Sequence, residues 1–139
     1  MRNFILACIA FVAFGFITVA EAGVTVHINK SSQTMTVSVN GVHKYTWAVS
    51  TGKKGYGTPT GSFTKFRLER TWFSSTYDGA PMPHSIFFKG GYAIHGTTEV
   101  GRLGRPASHG CVRLHPGNAA ALFALVKGNR GSTVVIVKN

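Results

Sequence analysis

The chain has 139 residues, with 15 Lys and Arg against 4 Asp and Glu, a net charge of +11 and only two cysteines. That length gives one domain with a core of its own, and no second domain once an N-terminal leader is set aside. So few acids leave thin material for a paired-carboxylate glycosidase or for a hard-cation cage of oxygens, and two cysteines build no disulfide scaffold.

Residues 1–22 read as a signal peptide. Arg2 supplies the positive start, Phe4 to Ala20 is almost unbroken apolar sequence, and Ala20-Glu21-Ala22 has the small-x-small form of a cleavage site. Cleavage after Ala22 leaves residues 23–139 as the mature domain. The alternative is an uncleaved anchor, because the apolar run sits at the lower limit for spanning a bilayer; membrane association is expected only in that case. Cys8 has too little apolar sequence before it for a lipoprotein box. Its loss with the leader leaves Cys111 as a lone thiol in an exported protein, either inert and buried or working. The basic surface favours a polyanionic partner. Export argues against nucleic acid and points instead to an anionic wall polymer or a carboxylate-rich peptide.

The first half of the mature chain reads as strands. Val24, Val26 and Ile28 alternate with polar residues, as do Met35, Val37 and Val39 and then Tyr45, Trp47 and Val49, with the hairpin signal Asn40-Gly41 between the last two runs. Residues 51–61, dense in Gly, Thr and Pro, read as a long surface loop. Ser62 to Leu68 resumes a strand pattern. Residues 71–83 are irregular and hold Trp72, Phe73 and Tyr77, the composition of a lid or groove wall. Strands at 85–89 and 92–95 are joined through Gly90-Gly91, and 99–110 is a Gly- and Arg-rich loop. One helix is predicted, Pro116 to Lys127, with an apolar stripe of Ala120, Leu122, Phe123, Leu125 and Val126 and with Gly128 at its end. Thr133 to Val137 is a final apolar strand. The expectation is a mostly β, mostly antiparallel domain with one helix.

The chemistry concentrates in Ser108-His109-Gly110-Cys111-Val112-Arg113-Leu114. Thiolate is the reactive form of cysteine, and cationic neighbours such as Arg105 and Arg113 are expected to lower its pKa. Gly110 permits an unusual backbone angle, and the N–H groups of Gly110 and Cys111 are candidates to face a developing oxyanion. Upstream, Tyr92-Ala93-Ile94-His95-Gly96-Thr97 ends a strand with a histidine beside a glycine, which aims an imidazole into a cleft at the strand's edge. With carboxylates so scarce, a Cys–His pair oriented by a neutral group is the enzyme chemistry this composition favours.

His95-Gly96-Thr97, followed by Pro106 to Leu114 and preceded by Thr51-Gly52 and Thr58-Pro59-Thr60-Gly61-Ser62-Phe63, resembles the signature of the YkuD-type L,D-transpeptidases over the whole mature chain. The resemblance implies a β-sandwich-like mixed sheet with the helix after the catalytic loop, in a domain spanning 23–139. It implies a peptidoglycan enzyme of the bacterial periplasm or cell wall, without a cofactor. Cys111 would form a thioester with a tetrapeptide stem, release its terminal D-amino acid and pass the acyl group to an amine, on a second stem or on an envelope protein. His95, not His109, would be the base, oriented by the Gly96 carbonyl. His109 and Ser108 would shape the substrate site, and Arg113 would hold a substrate carboxylate or brace the loop. His84 stands where similar sequences often carry an aromatic residue near the groove. Tyr92 is a substrate-contact candidate set against simple packing. Asn118 stands where an Asp is common at the helix start.

Three rival readings stay open from sequence. Water as acceptor gives an L,D-carboxypeptidase. A basic, non-catalytic wall-binding module needs no thiol. A zinc site of His95, His109 and Cys111 has acceptable ligand types, but an uncommon spacing and no evident fourth ligand, so no metal is expected.

Overall fold

The computed structural model describes residues 22–139. The leader expected at 1–22 therefore lies, apart from Ala22, outside the described residues. Among them no helix is long and apolar enough to cross a membrane.

Alternating apolar residues put one face of each early strand inside. β1 (Val24–Asn29) and β2 (Thr34–Val39) bury Val24, Val26, Ile28, Met35 and Val37 on the same side. β3 (Val42–Ala48) follows through Asn40-Gly41, where both residues take positive φ, 50° and 77°, the pairing a two-residue hairpin turn requires. β4 (Gly61–Phe63) and the C-terminal β9 (Thr133–Lys138) complete a five-stranded sheet in the order β3-β2-β1-β9-β4, with β9 parallel to β1. A second, four-stranded sheet runs β5-β6-β7-β8, from β5 (Arg67–Glu69), β6 (Ser85–Lys89), β7 (Tyr92–Gly96) and β8 (Val112–Leu114), with β7 and β8 parallel. The inner faces of both sheets and the helix α1 (Pro116–Lys127) share one core.

The mostly β class with one helix and the mixed sheet implied by the resemblance match expectation, and the elements differ from it in detail. The run expected as one strand over 62–68 breaks at 64–66 and contributes a strand to each sheet. The chain turns there because Phe63 packs at Phe88 while Leu68 must pair with Ile86. Two links, β1–β9 and β7–β8, are parallel, which local alternation alone does not reveal. The helix has its predicted limits, but His115 caps it, its Nδ1 accepting the Gly117 N–H at 3.1 Å with Pro116 in the first turn. Asn118 is therefore not the cap. Ala119, Leu122, Phe123 and Val126 are the buried residues of α1, with Ala119 taking the inward place expected of Ala120.

The helix start lies tight against the end of β7. A Cβ on Gly96 would come within 3.2 Å of Pro116 Cα and of Pro83 Cγ, so the glycine permits the contact that seats α1 beside the catalytic strand candidate. Leu122 is fully buried. Leu122→Ala is expected to cost about 2–5 kcal/mol in a denaturant unfolding experiment, whereas Val42→Ala, at a residue 69% exposed, should stay within roughly 0.5 kcal/mol.

Candidate active site

Parallel pairing of β7 with β8 sets Ile94 against Val112 and His95 against Arg113. It thereby brings the end of the His95 strand beside the start of the Cys111 strand. The two side chains open into one cleft of about 150 Å³. One wall is His95, Thr97, Thr98 and Glu99 with Ser108, His109, Cys111 and Arg113; the other is Ser74, Tyr77, Ala80, Pro81 and Met82 from the irregular segment after β5. That segment is thus a groove wall, pinned by backbone pairing of Phe73 with Pro81.

His95 is buried, and its Nδ1 lies 2.7 Å from the Gly96 carbonyl oxygen. A carbonyl only accepts, so Nδ1 carries the proton and Nε2 keeps its lone pair. Burial holds the His95 pKa down at about 4, with Arg113 adding to the effect and the Gly96 bond opposing it. Cys111 is half-buried, packed beside Met82, Phe87 and Ala93, with Sγ 3.8 Å from the Gly91 carbonyl oxygen. Burial pushes its thiol above the ordinary value, against a backbone hydrogen bond with Ala93 and the charge of Arg113. The expectation of an acidified thiolate is corrected here: desolvation outweighs the nearby guanidinium. Both shifts favour a neutral thiol beside a neutral imidazole over an ion pair.

The loop that carries Cys111 is held from beneath. Ser108, fully buried, donates its hydroxyl to the Cys111 carbonyl at 2.5 Å and accepts the Gly110 N–H at 3.0 Å. The Gly110 N–H is therefore occupied and is not an oxyanion donor; the Cys111 N–H takes no part in these bonds. Gly110 has φ +122°, and a Cβ there would lie 2.7 Å from the Tyr92 ring. Its role is conformational. Ser108 is a brace, and Tyr92 covers the back of Gly110 without lining the cleft.

Residues 49–58 complete the support. Ser50 exchanges backbone bonds with Arg113, the Thr51 carbonyl accepts from Ala107 and Ser108, and Lys53 donates to the Ser108 carbonyl. The buried side chain of Thr58 donates to the Gly110 carbonyl at 2.7 Å. Gln33 in turn holds Thr51 through two side-chain bonds. Sequence reading took 51–61 as a long surface loop, placed Thr51 and Thr58 only within segments that carry the family resemblance, gave them no part in the site, and passed over Gln33 and Ser50. The available signal was the cluster of hydroxyl residues at the end of an apolar strand.

The geometry has counterparts. The L,D-transpeptidase catalytic domain family (YkuD) matches residues 23–137. The chain belongs to the L,D-transpeptidase catalytic domain family. It is 28% identical over 109 residues to the Bacillus subtilis (strain 168) protein named as the L,D-transpeptidase YkuD, covering 77% of this chain and 63% of that one. It superposes on an L,D-transpeptidase from Stackebrandtia nassauensis with a TM-score of 0.74 at 30% identity, over 91% of this chain and 62% of that one. The L,D-transpeptidase LdtMt1 in complex with imipenem gives 0.72 at 28% identity, over 84% and 59%. The chain thus spans less than two thirds of the length of these relatives.

Within this family member the remaining candidates separate. His109 lines the cleft, stacked on Tyr77 at 4.1 Å between ring centroids and edge-on to Tyr56 at 5.1 Å; desolvation, with Lys53 and Arg113, lowers its pKa. Arg113 is paired with Glu99 at 3.1 Å, so it braces the 99–113 loop while facing the cleft. His84 is elsewhere, a correction to its expected place. It lines a separate hollow with Arg70, Phe123 and Lys127, its ring edge-on to Phe123, because β6 begins there and turns it towards α1. Among the described residues, no three His, Cys, Asp or Glu side chains converge as metal ligands; His95 Nδ1 is committed to Gly96.

An imidazole NMR titration should place His95 near pH 4. Above that pH the ring is neutral and able to accept a proton; only on acidification towards 4 is this capacity lost. Iodoacetamide alkylation of Cys111 should be slow at pH 7 and still rising beyond about pH 8.5, the ordinary thiol midpoint. A plateau already reached at pH 7 contradicts the neutral pair.

Proposed function

We propose that this domain is a peptidoglycan L,D-transpeptidase in which Cys111 is the nucleophile and His95 the general base. The observation that carries the reading is the shared cleft of Cys111 and His95, with Nδ1 of His95 fixed on Gly96 and Nε2 left for the thiol. Membership of the family, and the imipenem complex of a relative, support it.

Cys111 Sγ attacks the carbonyl between the third and fourth residues of a tetrapeptide stem, and its proton passes to His95 Nε2. The carbonyl oxygen becomes an oxyanion next to the Cys111 N–H. The C–N bond then breaks, and the departing D-amino acid amine takes the proton from His95. An incoming amine attacks the thioester, loses a proton to His95, and the sulfur leaves to be reprotonated. Transfer of the proton as the S–C bond forms suits a pair that is neutral at rest, because the thiol becomes acidic only in the transition state. The basic surface, with Lys53 and Arg102 beside the cleft loops, favours a carboxylate-bearing stem peptide. Export of the mature domain from 23 onward, to the periplasm or cell wall of a bacterium, is part of the same proposal.

Incubation with purified disaccharide-tetrapeptide, read by mass spectrometry, tests this. The expected product is a dimer lacking one terminal D-amino acid, reduced at least about 10³-fold in Cys111→Ala and His95→Ala, the scale of losing a member of a concerted catalytic unit. Loss of the D-amino acid without a dimer identifies water or an absent envelope protein as acceptor. Unchanged turnover in Cys111→Ala sinks the mechanism and leaves a wall-binding module. Imipenem should add its mass to the wild-type chain and not to Cys111→Ala.

A further inference from the structure

Thr58 is nearly fully buried, at 2% exposure, and does not line the cleft. Its Oγ1 accepts the Gly52 N–H at 2.9 Å and donates to the Gly110 carbonyl at 2.7 Å. A hydroxyl has one proton. Since Gly52 supplies a donor, the Thr58 proton can only point to Gly110, and the two bonds polarise each other in the same sense.

The acceptor in that chain belongs to a particular peptide plane. The carbonyl of Gly110 and the N–H of Cys111 are the two ends of one rigid trans peptide, aimed in opposite directions. A hydrogen bond that fixes the carbonyl on the inward side fixes the N–H on the other. Ser108 holds the next carbonyl, that of Cys111, and occupies the neighbouring donor, that of Gly110. Of the two loop donors next to the thiol, those of Gly110 and Cys111, the Cys111 N–H is the one that Ser108 leaves for a reacting carbonyl, and the Thr58 hydroxyl holds the other end of its peptide.

We propose that Thr58 is a positioning residue for the oxyanion: through Gly110 it aims the Cys111 N–H at the oxygen of the tetrahedral intermediate. This rests on the reading of Cys111 as nucleophile. It assigns the hydroxyl a task beyond filling space, and it separates two reactions of the same sulfur. Attack on a carbonyl develops negative charge on oxygen and needs the aimed donor. Displacement of iodide from iodoacetamide forms an S–C bond and expels iodide, with the thiol proton lost to base, and creates no oxyanion.

The experiment compares both reactions in the full chain. Opening of the imipenem lactam forms a thioester at Sγ, breaks the ring C–N bond and protonates the ring nitrogen; its rate is followed by intact mass. Alkylation by iodoacetamide is followed in the same way. Thr58→Val keeps the shape and removes the hydroxyl; Thr58→Ser keeps the hydroxyl. Each variant is measured below its own melting transition, and Thr58→Ala replaces Thr58→Val should the latter not fold. Acylation of Thr58→Val is expected to slow roughly 10- to 100-fold, short of the loss from deleting a donor outright, with alkylation within about twofold of wild type and Thr58→Ser restoring acylation. In turnover of tetrapeptide the loss should fall on kcat, not KM. Equal slowing of both reactions, or acylation of Thr58→Val at the wild-type rate, overturns the assignment. A wild-type chain that imipenem leaves unmodified removes instead the nucleophile reading beneath it.

Discussion

The candidate site depends on how a loop with little core of its own is held still. Residues 104–113 bury few apolar side chains, so hydrophobic packing alone does not define their path. Their backbone is instead paired to residues 49–58 by a continuous set of hydrogen bonds, from Gly104 on Val49 to Arg113 on Ser50 and Lys53 on Ser108. A buried amide left without a partner costs about 1–3 kcal/mol, so each of these bonds penalises any other route for the loop. Ser50, Ser108 and Thr58 add hydroxyls where backbone partners run out. The thiol is placed by this seam, which ties the two sheets together at the edge where β8 ends the smaller one.

Charge is arranged in two layers. The surface is strongly basic, and two of the scarce carboxylates sit in ion pairs: Glu99 faces both Arg113 and Arg102, and Glu69 pairs with Arg67 on β5. Within the cleft, which the Arg113–Glu99 pair also lines, the two candidate catalytic groups are neutral. Burial suppresses charge on His95 and Cys111 together, and a carbonyl orients the imidazole where a carboxylate serves in many hydrolases. The composition makes sense of this choice. A domain with so few acids relies on peptide dipoles for orientation, and these do not titrate.

Much of the fold was legible because its signals are local. The alternation of Val24, Val26 and Ile28, the Asn40-Gly41 turn and the stripe on 116–127 each specify an element by periodicity or turn chemistry. The parallel β1–β9 and β7–β8 pairings are not local; they follow from which apolar faces meet in the shared core, and no short window encodes that. In the site, Cys111 and His95 stood out because glycine flanks both and their spacing resembles a family signature. Ser50 and Gln33 did not, and Thr58 stood out only as part of a matching segment without a role, since a buried hydroxyl or amide that holds backbone looks the same in sequence as a solvated one. His84 was misplaced for a related reason: its standing where similar sequences often carry an aromatic residue says nothing of which way its side chain turns just before β6. The thiol's pKa was misjudged because flanking arginines are visible in sequence and desolvation is not.

The position of β9 has a consequence for how the domain comes together. β9 lies inside the larger sheet, between β1 and β4, although it is formed by residues 133–138. A chain that emerges N-terminus first therefore exposes the edges of β1 and β4 facing an empty slot until residues 133–138 arrive. Pairings this distant in sequence form slowly, and open edges invite contact with other chains. Trimming β9 would split the sheet through its interior, where trimming an edge strand would only shorten it. Residues 133–138 act as the closing stave of the fold, and until they are in place the edges of β1 and β4 stand open to other chains.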